Sequence, residues 1–127
     1  MDEQELKDRT RRFALRCMKL ADSLPYTKPS GRAIANQLVR CGTSVGSNYR
    51  AACRSRSGPE FVSKLAVVEE EADESAFWID LVAASGMKPT KLVRPLLLEA
   101  DELTRIMVAS IKTARRSNPK SRIQNPK

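Results

Sequence analysis

At 127 residues, 41% hydrophobic and 30% charged, the chain is sized for one domain with a real core. It has no histidine, which removes the commonest general base, the commonest metal ligand and every Ser-His or Cys-His dyad. The formal charge of +8 is unevenly spread: residues 25–59 hold six basic and no acidic side chains, whereas residues 60–86 hold one basic and seven acidic.

The N-terminus, MDEQELKDRTRR, is charged and lacks an apolar h-region, so it does not read as a signal peptide. A first helix is expected from Glu3 to Ser23, with Leu6, Phe13, Cys17, Leu20 and Leu24 on or near one stripe. Leu24-Pro25 ends it, because a residue before proline is pushed out of the α region. A second helix is expected from Ser30, as N-cap, to about Arg56. Its apolar stripe of Ile34, Leu38, Cys41, Val45 and Ala52 also takes in Asn48, with Ser44 one turn earlier. Buried amides and hydroxyls cost free energy unless bonded, so both residues are expected to specify a register or a partner.

Ser57-Gly58-Pro59 breaks the second helix, and Pro59 and Glu60 suit the first turn of a third. Phe61, Leu65, Val68, Ala72, Ala76 and Ile79 share one face of it, and Gly86 can take the left-handed position after its end. Thr90 can cap a fourth helix carrying Leu92, Leu96, Ala100, Leu103, Met107 and Ile111, with Pro95 either kinking it or marking a later start. From residue 117 the segment SNPKSRIQNPK reads as a disordered basic tail. No strand alternation or repeat is present, and no apolar run approaches the ~20 residues needed to span a membrane. The expectation is an all-α, antiparallel up-down-up-down four-helix bundle over residues 1–116.

Phe77, Trp78, Ile79, Leu81 and Val82 crowd the third helix and point around most of its circumference. One core needs only one face, so Phe77, Trp78, Leu81 and Val82 are candidates for an oligomer interface, the alternative being a tightly enclosed helix end in a monomer. Cys17, Cys41 and Cys53 form no CxxC pair and are expected to be reduced core thiols of a cytoplasmic protein.

The segment Gln37-Leu38-Val39-Arg40 followed by Thr43-Ser44-Val45-Gly46-Ser47-Asn48-Tyr49-Arg50-Ala51-Ala52 resembles the bacterial 23S ribosomal RNA intervening-sequence protein family. So do Phe61, Lys64-Leu65, Glu69-Glu70-Glu71-Ala72-Asp73-Glu74 and Phe77-Trp78, and more loosely Leu98-Glu99-Ala100 with Glu102-Leu103. Ala51 stands where many relatives carry Glu, so any role of that carboxylate is absent. The resemblance implies an antiparallel four-helix protomer in a ring-like homopentamer, and it does not imply an enzymatic activity. Distant relatives, the accessory variability proteins of diversity-generating retroelements, are thought to bind nucleic acid and a reverse transcriptase, and that role reaches this chain only by analogy.

Arg32, Arg40, Arg50 and Arg54, with Arg56 just beyond, lie on the polar side of the second helix and suit a phosphate-tracking surface. The alternatives are a solvated face, or arginines paired to acids of the third helix. Arg115, Arg116, Lys120 and Arg122 can act as a nucleic-acid-binding arm or as a solubilising tail. No aromatic platform interleaves with these cations, so base stacking is not supported. Ser44, Asn48, Glu70 and Glu74 are expected to form a buried polar network, with pairing to arginines as the other outcome. The acidic run lacks the Glu-x-x-His pattern of di-iron bundles, so neither metal nor cofactor is expected. Gly42 and Gly46 mark a close helix approach. Together these features favour a non-enzymatic, homo-oligomeric bundle that binds RNA or DNA. The alternative is a structural or protein-interaction scaffold with no nucleic-acid role.

Overall fold

The structure, a computed structural model, describes residues 1–117, which form four α-helices and no strand. They are α1 (Glu3–Asp22), α2 (Pro29–Cys53), α3 (Gly58–Ala84) and α4 (Thr90–Ser117). The basic tail expected after Arg116 falls, but for Ser117, outside the described residues.

Local chemistry sets most of the helix ends. α1 opens on a capping box, in which Asp2 Oδ1 accepts from the Glu5 N–H and Glu5 Oε1 accepts from the Asp2 N–H, both at 2.8 Å. Ser57 Oγ accepts from the Glu60 N–H at 3.1 Å to open α3, and Pro59 sits in the first turn. Gly86, at φ +80°, takes the left-handed conformation after α3. Four ends differ from the sequence expectation. α1 closes at Asp22, with Ser23 as its C-cap. Lys28, not Ser30, is the N-cap of α2, because Pro29 supplies a helical φ one residue earlier. α2 stops at Cys53 rather than near Arg56, and the Arg54 and Ser55 N–H groups turn tightly onto the Ala51 and Ala52 carbonyls. Thr90 lies inside α4, since the Pro89 carbonyl already accepts from Leu92 and Val93. The helix runs through the exposed Pro95 and gives up only the bond to the Lys91 carbonyl.

Each helix packs on the next in sequence, and α1 also meets α4 along a sparser seam. The register is antiparallel: Gly42 abuts Cys17 and Gly46 abuts Thr10, so α2 ascends as α1 descends. The core is built from one stripe of each helix, including Phe13, Cys17, Leu38, Val45, Leu65, Val68, Ile79, Leu103 and Met107, all fully enclosed. Arg9 closes the α1–α4 seam. Its Nε donates to Glu99 Oε2 at 2.7 Å, its Nη2 donates to Glu99 Oε1 at 2.8 Å, and the same Nη2 lies 3.0 Å from Glu102 Oε1. This two-pronged geometry joins the best-shielded pair of partners among the ion pairs of the described residues.

The glycines of α2 act through the space they leave empty. A Cβ on Gly31 would stand 2.0 Å from the Pro25 carbonyl oxygen, and one on Gly42 would stand 2.6 Å from Cys17 Cβ. One on Gly46 would make an ordinary 3.4 Å contact with the Thr10 carbonyl oxygen. Gly31→Ala and Gly42→Ala are therefore expected to lower stability by at least about 1–3 kcal/mol, the range for overpacked cores. Gly46→Ala should be near neutral, because the helix propensity of alanine offsets a mild contact. Chemical denaturation of the three variants checks this order. A loss at Gly46 equal to that at Gly42 would contradict the seam described.

Candidate nucleic-acid interface

α2 turns Arg32, Arg40, Arg50 and Arg54 outward, and all four are exposed. They do not form one surface of equivalent cations. Arg32 Nη1 donates to the Tyr26 carbonyl at 3.0 Å and so braces the α1–α2 connection. Arg40 is held by α3: its Nη1 donates to Glu71 Oε1 at 3.3 Å, its Nη2 pairs closely with Glu74 Oε2, and its Nε donates to Gln37 Oε1 at 3.2 Å. Arg50, Arg54, Arg56, Arg115 and Arg116 are exposed and take part in no ion pair among the described residues. Lys120 and Arg122 lie outside the described residues.

A groove runs between α1 and α2 beside Gly46. Lys7 and Arg11 line it from α1, Thr43, Ser47 and Arg50 line it from α2, and Asp8 is the one carboxylate of its lining. Arg11 is exposed and, like Arg50, takes part in no ion pair among the described residues. Arg11 does not stand out in the sequence, because six basic and five acidic side chains share residues 1–24.

The four-residue buried network does not form within the protomer. Ser44 Oγ donates to the Arg40 carbonyl at 2.7 Å, and Asn48 Nδ2 donates to the Ser44 carbonyl at 2.9 Å, so both are satisfied by their own helix. Both are only half-buried, and Glu70 is exposed. The glycines explain the difference. They carry no apolar side chain to register in a hydrophobic pattern, yet α1 packs against them, which turns the buried face of α2 away from Asn48 and onto Tyr49. The buried polar residues are instead Thr10 and Ser75. Thr10 Oγ1 donates to the Leu6 carbonyl at 2.8 Å, and Ser75 Oγ donates to the Glu71 carbonyl at 2.8 Å while lying 3.2 Å from Cys41 Sγ.

Glu74 joins α2 to the outer face of α3. It accepts from Arg40, and its Oε2 accepts from Trp78 Nε1 at 3.0 Å. The indole packs edge-on against Phe77, with ring centroids 5.0 Å apart at 72°. Phe77 is 55% exposed, Trp78 and Leu81 are half-buried, and Val82 is fully enclosed in the core. Val82 therefore cannot belong to an interface between copies, because it faces its own bundle.

The three cysteines are free. Burial pushes the Cys17 thiol up to about 12 and raises Cys41 and Cys53, so the reactive thiolate is disfavoured at all three. Among the described residues no three His, Cys, Asp or Glu side chains are grouped to hold a metal ion, and no helix is long and apolar enough to cross a membrane.

The bonds from Arg40 and then from Trp78 hold the Glu74 carboxyl below the usual carboxylate range. A carboxyl depressed in the folded state stabilises above its unfolded pKa and loses that contribution as pH falls through the folded value. Trp78 is the only tryptophan, so its fluorescence reports the event directly. Its emission should change on acidification with a midpoint below the ordinary glutamate range, and Glu74→Gln should remove the transition. An unchanged acid transition in Glu74→Gln would show that the bond does not govern the indole.

The family described as 23S rRNA-intervening sequence protein matches residues 2–109. No curated protein matches the chain. Among solved structures, a protein of unknown function of the S23 ribosomal protein family from Bacteroides thetaiotaomicron VPI-5482 superposes with a TM-score of 0.77 at 24% identity. The alignment covers 88% of this chain and 99% of that one, and at this identity it shows the shared fold. With a family match across nearly the whole described bundle, the chain belongs to the 23S rRNA-intervening sequence protein family.

Proposed function

We propose that this protein is a non-enzymatic, homo-oligomeric bundle that binds RNA or DNA through the phosphate backbone. The observation that carries this reading is the division of charge on α2. Arg40 is neutralised by Glu71 and Glu74, while Arg50 and Arg54 stand exposed with no carboxylate partner among the described residues. Residues 25–59 contain no acid that could neutralise them locally. Cations left without partners on a protein of net charge +8 favour a polyanion. The family description names a ribosomal RNA, which agrees in class. Assembly as a ring-like homopentamer is part of the proposal. Phe77, 55% exposed beside Trp78 on α3, gives it an apolar contact point, and a ring would repeat each basic face and add avidity. The raised thiol pKa values and the lack of histidine support the absence of catalysis.

That same Phe77, on the acidic α3, also supports the second reading, a scaffold for a protein partner, since an exposed aromatic among carboxylates does not suit nucleic acid. Fluorescence anisotropy with a labelled mixed-sequence RNA, over a salt series, separates the two. The proposal predicts an affinity that falls steeply with salt, as counterion release requires. Arg50→Glu with Arg54→Glu should abolish it without changing the assembly mass seen by light scattering. Arg40→Ala should leave it nearly intact. No binding by the unmodified protein at low salt would favour the scaffold.

A further inference from the structure

We propose that the groove between α1 and α2 is the track for the phosphodiester backbone, held by Arg11 from α1 and Arg50 from α2. This assignment rests on the nucleic-acid reading above and moves its centre from the outer face of α2 to the seam between two helices. Gly46 lines the groove where α2 meets α1 at Thr10, and polar side chains of both helices line it around that point. Three cations, Lys7, Arg11 and Arg50, line it against the single carboxylate of Asp8. Lys7 is partly engaged by Glu3 at 3.1 Å, which leaves the two arginines as the available charges. Cations of two helices lining one cleft raise its positive potential and suit an anion bound between them. Arginine suits a phosphate better than lysine, because its planar fork can bond two phosphate oxygens at once.

Ser47 adds a neutral donor. Its hydroxyl lies 3.4 Å from the Ser44 carbonyl, whereas the Thr43 and Ser44 hydroxyls each lie 2.7 Å from their helix acceptors. The long bond of Ser47 is the weakest of the three and is readily exchanged for a phosphate oxygen. No aromatic side chain lines the groove, so the track offers nothing on which bases can stack. Recognition there is of backbone, and tolerant of sequence. Asp8 is the discordant residue. Its Oδ1 accepts from Gln4 Nε2 at 3.0 Å, which disperses little of its charge, and it stands against any phosphate in the groove.

The test is the salt dependence of binding to a fluorescein-labelled mixed-sequence RNA of twenty nucleotides, measured for Arg11→Ala, Arg11→Lys, Asp8→Asn and Arg105→Ala. Arg105 is exposed on α4, away from the groove, and serves as the reference for diffuse charge. Arg11→Ala is expected to weaken binding roughly five- to tenfold and to reduce the salt slope by about 0.7–1, the loss of one phosphate contact. Arg11→Lys should recover part of the affinity and the full slope. Asp8→Asn should bind more tightly than the unmodified protein, which a site confined to the outer face of α2 does not predict. Arg105→Ala should bind as the unmodified protein does. If Arg50→Glu with Arg54→Glu abolishes binding while Arg11→Ala and Asp8→Asn are silent, the groove is wrong and the nucleic-acid reading stands. Equal losses for Arg11→Ala and Arg105→Ala would overturn the groove in favour of diffuse attraction. No binding by the unmodified protein would overturn both.

Discussion

The rest of the structure depends on the contact between Gly42 of α2 and Cys17 of α1. At that point α2 presents bare backbone, and the Cys17 side chain occupies the place a Cβ would need. The contact decides how α2 is rotated in the bundle. It puts Tyr49 inside, Asn48 at the margin and the arginines outside. The same rotation opens the polar groove one turn further along, at Gly46. A larger residue at position 42 would have to push α1 away, and interiors packed to crystal density cannot absorb such a shift without cost.

Electrostatics then sorts the charges that this rotation exposes. α2 has no acid of its own, and α3 has a surplus. Only Arg40 reaches across, where Glu71, Glu74 and Trp78 form a half-exposed cluster. Such a cluster contributes modestly to stability, since solvent screens it. Its consequence is one of selection, because it removes one arginine from the cationic face and leaves Arg50 and Arg54 outside it. On the far side of the bundle Arg9 does the converse. It holds the sparse α1–α4 seam shut with Glu99 and Glu102, so these two acids of α4 are engaged there.

The fold was legible because each helix carries apolar residues at steps of three and four, bounded by residues with a mechanical role. Pro25, Ser57-Gly58-Pro59 and Gly86 all punctuate the chain where the sequence predicts. Helix starts were less legible at Ser30 and Thr90, where a neighbouring proline or its carbonyl opens the helix earlier. The polar network was misplaced for a definite reason: glycine adds nothing to a hydrophobic stripe, so the stripe alone centred α2 too near Asn48. Thr10 and Ser75 could have been found from their positions one turn after Leu6 and Glu71, whose carbonyls they bond. The fate of Arg40 and the sharing of one groove by Arg11 and Arg50 depend on which helices adjoin and at what height, and no spacing within one helix encodes that.

The central claim is that bare backbone at Gly42 seats α1 on α2 and thereby sets which residues α2 shows to solvent. The most direct measurement is the nuclear Overhauser pattern of the protein in solution around that glycine. The account predicts strong cross-peaks between the Gly42 α-protons and the Cys17 β-protons, with the Asn48 side chain showing none to α1. Cross-peaks from Asn48 to α1, with none from Gly42 to Cys17, would contradict it.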